Sequence, residues 1–274
     1  MTATYIIRGG AEGRERLRVL SRALRGGTNS LLDRVGVRAG MRCLDAGCGG
    51  GDVTLELAGR VAPRGTVVGV DLDETKLDLA RAEAERCGVD NVTYLYADVT
   101  NGSLPSGFDV VYARFVLTHM VDPAGVARRF VDTLRPGGIC VVEDIDYEGA
   151  FCYPESEVYR AAQQLYYATA RARGVDPDIG RRLPELLTQA GCEDVMVTVT
   201  QPVGMRPDVG SEVDVKMVMA LTHDAISDAA VEAGLATREE VTHLAEQYYA
   251  LVADERTFMS LPRVVQAWGR RPAA

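Results

Sequence analysis

A chain of 274 residues, 47% of them apolar, can build one large α/β domain with an insertion, or a domain plus a small cap. Its formal charge of −9 at pH 7 argues against nucleic acid as the main partner, because phosphate binding needs a basic footprint. No apolar run approaches the roughly 18–20 residues of a membrane span, and residues 1–8 lack the core of a signal peptide.

Helices are expected first, at 11–25, with Leu17, Leu20 and Leu24 on one face, and at 29–36. Strands at 41–46, 66–71, 92–97, 107–113 and 138–145 then alternate with helices at 52–61, 74–87 and 122–134. Asp122-Pro123 supplies the last of these with an N-cap and a first-turn proline. A helix over 155–173 carries Tyr159, Tyr166 and Tyr167 and is broken by Gly174-Val175-Asp176-Pro177. A helix over 180–190 and a strand of alternating Val and Thr over 195–203 follow. Two further helices are expected at about 211–230 and 237–253, and a closing strand at 258–269 whose start Pro262 demotes. Alternating strands and helices imply a parallel sheet covered on both faces. Ligands of such sheets lie beyond the carboxyl ends of the strands, at the switch in strand order. Asp45, Asp71, Asp98 and Arg114 fall at those ends.

The most informative stretch is Cys43-Leu44-Asp45-Ala46-Gly47-Cys48-Gly49-Gly50-Gly51-Asp52, with Val68-Gly69-Val70-Asp71 about twenty residues later. Glycines let backbone approach a ligand closely, and an acid ending the second strand of a βαβ unit suits a ribose hydroxyl pair. A nucleoside is therefore expected. A dinucleotide fingerprint would need a glycine where Asp52 stands, and carboxylates at Asp45 and Asp52 would repel a pyrophosphate. A Walker loop is excluded because no Gly-Lys-Ser/Thr follows the glycines. An ammonium and a sulfonium, by contrast, welcome nearby acids.

At Leu44-Asp45-Ala46-Gly47-Cys48-Gly49-Gly50-Gly51 the chain resembles the class I S-adenosylmethionine-dependent methyltransferases. The resemblance continues in order through Tyr94 to Val99, Phe108 to Arg114, Leu117-Thr118-His119 and Leu134-Arg135-Pro136-Gly137-Gly138, covering roughly residues 40–146. It implies a Rossmann-like seven-stranded α/β sheet with helices on both faces and a helical insertion or lid. The division would be 1–40 as an N-terminal helical lid and 41–150 as the S-adenosylmethionine-binding core. Residues 151–274 would be a helical cap with closing strands that complete the same domain. The cofactor contacts implied are Tyr5, Arg14, Asp45, Gly47, Cys48, Gly49, Asp71, Leu72, Ala97, Asp98, Val99 and Arg114, with Asp98 meeting the adenine amino group.

Methyl transfer requires positioning and the exclusion of water, and an oxygen or carbon nucleophile that still carries its proton also needs a base. His119, in the loop after the fourth strand, is the candidate base; its other reading is a hydrogen bond tying that loop to the Asp122 cap. Glu143, Asp144 and Asp146 end the fifth strand, and Asp144 is the second catalytic candidate; this short cluster gives no reason to expect a metal. Residues 1–40 hold eight arginines against three acids, read either as a solvated helix face or as a site mouth. In the second reading Arg14 and Arg18, one turn apart, meet the cofactor carboxylate or an anionic substrate. Seven of eleven tyrosines lie beyond the fifth strand, which suits either an amphipathic organic acceptor or an interhelix core.

Six cysteines without a Cys-x-x-Cys pair read as reduced, mostly buried thiols in a cytoplasm. The function expected is methyl transfer to an O, N or C atom of a small organic acceptor, in a protein that contacts neither nucleic acid nor membrane. A homo-oligomer is left open. A nucleic-acid methyltransferase of the amino-methylating kind would carry Asn/Asp-Pro-Pro-Tyr/Phe where this chain reads Ala113-Arg114-Phe115-Val116. A non-catalytic S-adenosylmethionine-binding regulator and an NAD-dependent oxidoreductase are the remaining alternatives.

Overall fold

The computed structural model describes residues 10–205 and 215–273, with side chains described from Arg16 onward. Its first element, α1 (Gly10–Val35), is a single helix where the sequence suggests two. It runs unbroken through Gly26-Gly27 because Leu24, Leu31 and Leu32 on either side are buried, and that packing outweighs a glycine penalty of ~1 kcal/mol each. A Cβ on Gly27 would stand 2.7 Å from Oγ1 of Thr200, so the glycine is also what lets the helix pass that close.

The central sheet has seven strands. β1 (Arg42–Ala46), β2 (Thr66–Asp71), β3 (Val92–Tyr96), β4 (Phe108–Arg114) and β5 (Leu134–Asp146) are parallel, in the order β3-β2-β1-β4-β5. Beyond a two-residue strand, β6 (Cys152–Tyr153), the chain returns to the sheet as β7 (Glu193–Thr200), and β10 (Arg263–Arg270) inserts antiparallel between β5 and β7. The strand order reverses between β1 and β4, which fixes where a ligand crevice can open.

Alternate residues of each strand feed two cores, as the period of two requires. Cys43, Val67, Val110 and Val141 pack on one face with the end of α1 and with α2 (Asp52–Val61). Leu44, Val70, Val111, Cys140 and Val142 pack on the other with α4 (Pro123–Thr133) and α6 (Leu183–Gln189). Helix α3 (Glu74–Arg86) covers Tyr94 and Cys48 through Leu77, Ala80 and Ala84. Its N-cap is Asp73, whose side chain accepts from the Lys76 amide; Asp122 does the same for α4 through Gly125.

A further core belongs to the cap: α5 (Glu157–Ala172), α7 (Val215–Ala225) and α9 (Arg238–Ala253), joined by Leu24 of α1, with α8 (Ser227–Glu232) packed against α5 and α9. β6 pairs with β9 (Phe258–Ser260), which pairs in turn with β8 (Val203–Gly204). Helices α7, α8 and α9 lie in the chain between β7 and β10, with boundaries that differ in detail from those expected. The helix placed at 211–230 breaks at Ile226, whose amide bonds to the carbonyl of His223. The closing strand splits at Leu261-Pro262, where proline has no amide for a ladder. The helix placed at 180–190 opens as a 3₁₀ turn over Ile179–Arg182. Among the described residues no helix is long and apolar enough to cross a membrane.

Candidate active site

The site starts at the turn after β1. Gly47 takes φ +72° and Gly51 φ +80°, left-handed values that favour glycine, and a Cβ on Gly47 would lie 2.5 Å from Cγ2 of Val116. The turn is fastened to β2 by the Gly47 and Cys48 amides, which donate to the Val70 carbonyl at 2.8 and 2.9 Å. Asp71 completes the fastening. One carboxylate oxygen accepts from the Gly49 amide at 2.8 Å and the other from the Asp73 amide at 3.0 Å. Each oxygen keeps acceptor capacity for a further donor.

Asp45 is buried, and its Oδ2 accepts from the Thr54 hydroxyl of α2 at 2.6 Å. Burial pushes its pKa up to about 6, against the pull of Thr54 and Arg114. It lies in a narrow recess with Gly47, Cys48, Gly49 and Arg114. The guanidinium of Arg114 donates to Ser21 Oγ at 3.1 Å and to Thr28 Oγ1 at 3.2 Å. The Thr28 hydroxyl in turn donates to Glu143 at 2.9 Å, which also accepts from Tyr112 and, at 2.7 Å, from Gln266. Burial opposes the charge on Arg114, but Tyr112, Glu143 and Asp45 outweigh it and raise its pKa. This buried network pins α1 across the ends of β4 and β5.

A cavity of about 440 Å³ opens from Gly47, Gly49 and Asp71 and runs under α1. Such a volume is in the range of small-molecule sites. Arg16, Leu17, Leu20 and Leu24 form its roof, Phe115, Val116, Thr118 and His119 one wall, and Tyr147, Tyr166, Val218, Met219 and Leu261 the far end. At that far end Tyr147 stacks on Tyr166 with ring centroids 4.1 Å apart and shares a 2.9 Å hydrogen bond with Nε2 of His223. Burial lowers the pKa of His223 to about 3.

The residues singled out by sequence divide into three groups. Gly47, Gly49, Asp71, Arg114 and His119 line the cavity, and Asp45 and Cys48 the recess beside it. Ala97, whose amide donates to the Asp71 carbonyl, Asp98 and Val99 lie at the end of β3 outside the cavity lining, and Leu72 is likewise outside it. The Asp98 carboxylate accepts from the Thr100 amide and hydroxyl at 2.8 and 2.6 Å. Tyr5 and the side chain of Arg14 lie outside the described residues.

Asp144 and His119 differ in kind. Asp144 is fully buried, does not line the cavity, and accepts from the Thr118 and Ile145 amides. Burial pushes its pKa up to about 7. The carboxylate braces the turn that carries His119 rather than facing a ligand. His119 does face the cavity, and burial, with Arg16 and Lys76 nearby, drives its pKa down to about 3. Its imidazole is neutral at ordinary pH, suited to accept a hydrogen bond more than to hold a proton. Asp122, offered as its alternative partner, gives its side chain to the Gly125 amide.

Sequence reasoning named Arg14 and Arg18 on the first helix; the structure brings Arg16 to the cavity, while Arg18 lines a separate outer recess. The spacing of Arg16 from Leu20 and Leu24, one and two further steps of four, carried that signal.

This strand order, with a glycine turn and acids at the switch point, defines a class I S-adenosylmethionine-dependent methyltransferase. The methyltransferase-domain family matches residues 38–191, and the chain belongs to it. Nocamycin O-methyltransferase of Saccharothrix syringae is 41% identical over 109 residues, covering 39% of each chain. The 27-O-demethylrifamycin SV methyltransferase of Amycolatopsis mediterranei is 36% identical over 130 residues, covering 45% of this chain and 47% of that one. The chain spans about half or less of the length of these curated relatives. Among solved structures, the YcgJ protein of Bacillus subtilis superposes with a TM-score of 0.59 at 14% identity, over 90% of this chain and 98% of that one. At that identity the likeness concerns the fold alone.

Proposed function

We propose that the protein transfers a methyl group from S-adenosylmethionine to a small organic acceptor. The observation that carries this reading is the continuity of one cavity from Gly47, Gly49 and Asp71 to an apolar and aromatic far end. The residues fit the cofactor: the glycine turn leaves space that side chains would fill, and Asp71 retains acceptor sites for a ribose diol. When bound, S-adenosylmethionine supplies a methyl carbon activated by its sulfonium for in-line displacement. Asp71 would hold the ribose, Arg114 the amino-acid carboxylate beside Gly47, Cys48, Gly49 and Asp45, and Leu72, Ala97, Asp98 and Val99 the adenine edge. Tyr5 and Arg14 belong to the same proposal as closing residues, with 1–40 and the cap as lid. His119 would accept a hydrogen bond from the acceptor, and the apolar roof excludes water. The O-methyltransferase name of one relative favours oxygen over nitrogen or carbon as the atom methylated.

Calorimetry with S-adenosylhomocysteine tests the reading. Micromolar-range affinity is expected, weakened about tenfold or more in Asp71→Ala, since charge-assisted hydrogen bonds contribute ~1.5–3 kcal/mol. Affinity for NAD with none for S-adenosylhomocysteine overturns it.

A further inference from the structure

Among the described residues three cations line the cavity: Arg114, proposed above to hold the cofactor carboxylate, Lys76, which lies 3.5 Å from Asp73, and Arg16, to which the proposed cofactor assigns no partner. Its Nε is buried with no hydrogen-bond partner, and among the described residues no carboxylate pairs with it. Arg16 is half-buried, and taking its charge partly out of water lowers its pKa to about 10, which still leaves it protonated at neutral pH. The nearby acids are otherwise committed. Asp71 accepts from two backbone amides, and Asp73 caps α3 and lies 3.5 Å from Lys76 Nζ. Among the described residues the phenol of Tyr166, at the far end of the cavity, is the group that favours the charge on Arg16. Arg114 already stands in the recess with Gly47 and Gly49, where the cofactor's own carboxylate would lie. Arg16 is therefore placed toward the acceptor.

We propose, on the reading above, that the acceptor is an amphipathic oxyanion: its acidic group is received by Arg16 and its apolar body lies against Leu24, Tyr147, Met219 and Leu261. A planar guanidinium offers a carboxylate or phosphate a two-point match that an ammonium lacks. Tyr166, which lines the same cavity, offers its hydroxyl as a donor to the same anion. The apolar end selects for a hydrocarbon or aryl body, because it offers few donors or acceptors of its own.

The experiment compares matched probes by calorimetry on the intact protein, with and without saturating S-adenosylhomocysteine. The probes are benzoate against benzamide, 3-phenylpropanoate against 3-phenylpropanamide, and phenyl phosphate. Wild type should bind the oxyanions about tenfold or more tightly than the amides. Arg16→Met should erase that preference, Arg16→Lys should keep part of it, and both should bind S-adenosylhomocysteine as wild type does. The ranking of carboxylates against phenyl phosphate identifies which oxyanion the site takes. Equal affinity for acid and amide, failure of every oxyanion to bind, or a preference that survives Arg16→Met overturns the proposal. A tenfold loss of S-adenosylhomocysteine affinity in Arg16→Met with acid preference intact assigns Arg16 to the cofactor and overturns it too. If S-adenosylhomocysteine fails to bind wild type, the methyltransferase reading falls separately, and the acid–amide comparison in the free protein still decides the role of Arg16. Should Arg16→Met not fold, Arg16→Lys carries the test through its reduced preference.

Discussion

The two ends of the cavity are made in different ways. At the glycine turn the contacts are local and mostly to backbone: Asp71 takes the amides of Gly49 and Asp73, and Val70 those of Gly47 and Cys48. At the far end Leu24, Tyr147, Tyr166, Met219 and Leu261 come from five separate segments and meet as side chains. The first end is specified by a short motif and tolerates little change in it. The second depends on the cap packing correctly, so its shape can vary while the chemistry at the first end is kept.

The seam between the ends offers the largest test of that contrast. Glu143 is fully buried and accepts from Thr28, Tyr112 and Gln266, and Thr28 in turn receives Arg114. Glu143→Ala leaves these donors and a buried cation unmatched, at a cost of about 3–5 kcal/mol. For a chain of this size that is a fall in Tm of roughly 6–20 °C. A fall of less than about 2 °C by scanning calorimetry would mean that α1 is held by its apolar contacts alone.

A smaller effect is expected from His119→Ala once an acceptor is in hand. Loss of a general base lowers turnover by ~10²–10⁴-fold. With a pKa near 3 the imidazole is a poor base, so turnover should fall by less than about tenfold and cofactor affinity should not change. The wild-type rate should show no step near pH 6.5, the ordinary histidine pKa. A hundredfold loss, or such a step that vanishes in the variant, would return His119 to the role of base.

The smallest effect concerns pH and the far end. His223 drops from 6.5 to about 3 on folding through burial, so the unfolded chain binds its proton first. The stability this group contributes is present above pH 6.5 and is lost as pH falls toward 3. His223→Gln should therefore flatten the decline in Tm between pH 6.5 and 4. Asp144 has the opposite sign. Its pKa rises from 3.8 to about 7, so the stability of its protonated form is lost as pH climbs through 7. Equal slopes for His223→Gln and wild type below pH 6.5 would show that His223 is not buried as a neutral base.

Much of this protein was legible without coordinates, for identifiable reasons. The alternation of strands and helices over 41–146 emerged in order because each element is bounded locally, by glycine turns, by Asp73 and Asp122 caps and by the period-two apolar runs of a buried sheet. Asp45, Asp71 and Arg114 could be placed at the carboxyl ends of strands because strand ends are fixed by those same boundaries. The merging of two predicted helices into α1 was not legible, since Gly26-Gly27 reads as a break until Leu24, Leu31 and Leu32 are seen buried together.

The sequence by itself determined the fold of the sheet and which residues end its strands, because both follow from patterns within about thirty residues of chain. Tertiary structure alone decided which groups line the cavity. Asp144 and His119 look alike as candidates in sequence, yet a carboxylate on an interior strand turned inward to the Thr118 amide while the imidazole on the turn faced the cavity. Arg16 rather than Arg18 lines the cavity from α1 because helix phase is set by what α1 packs against, and those partners, α2, α3 and α7, belong to other parts of the chain.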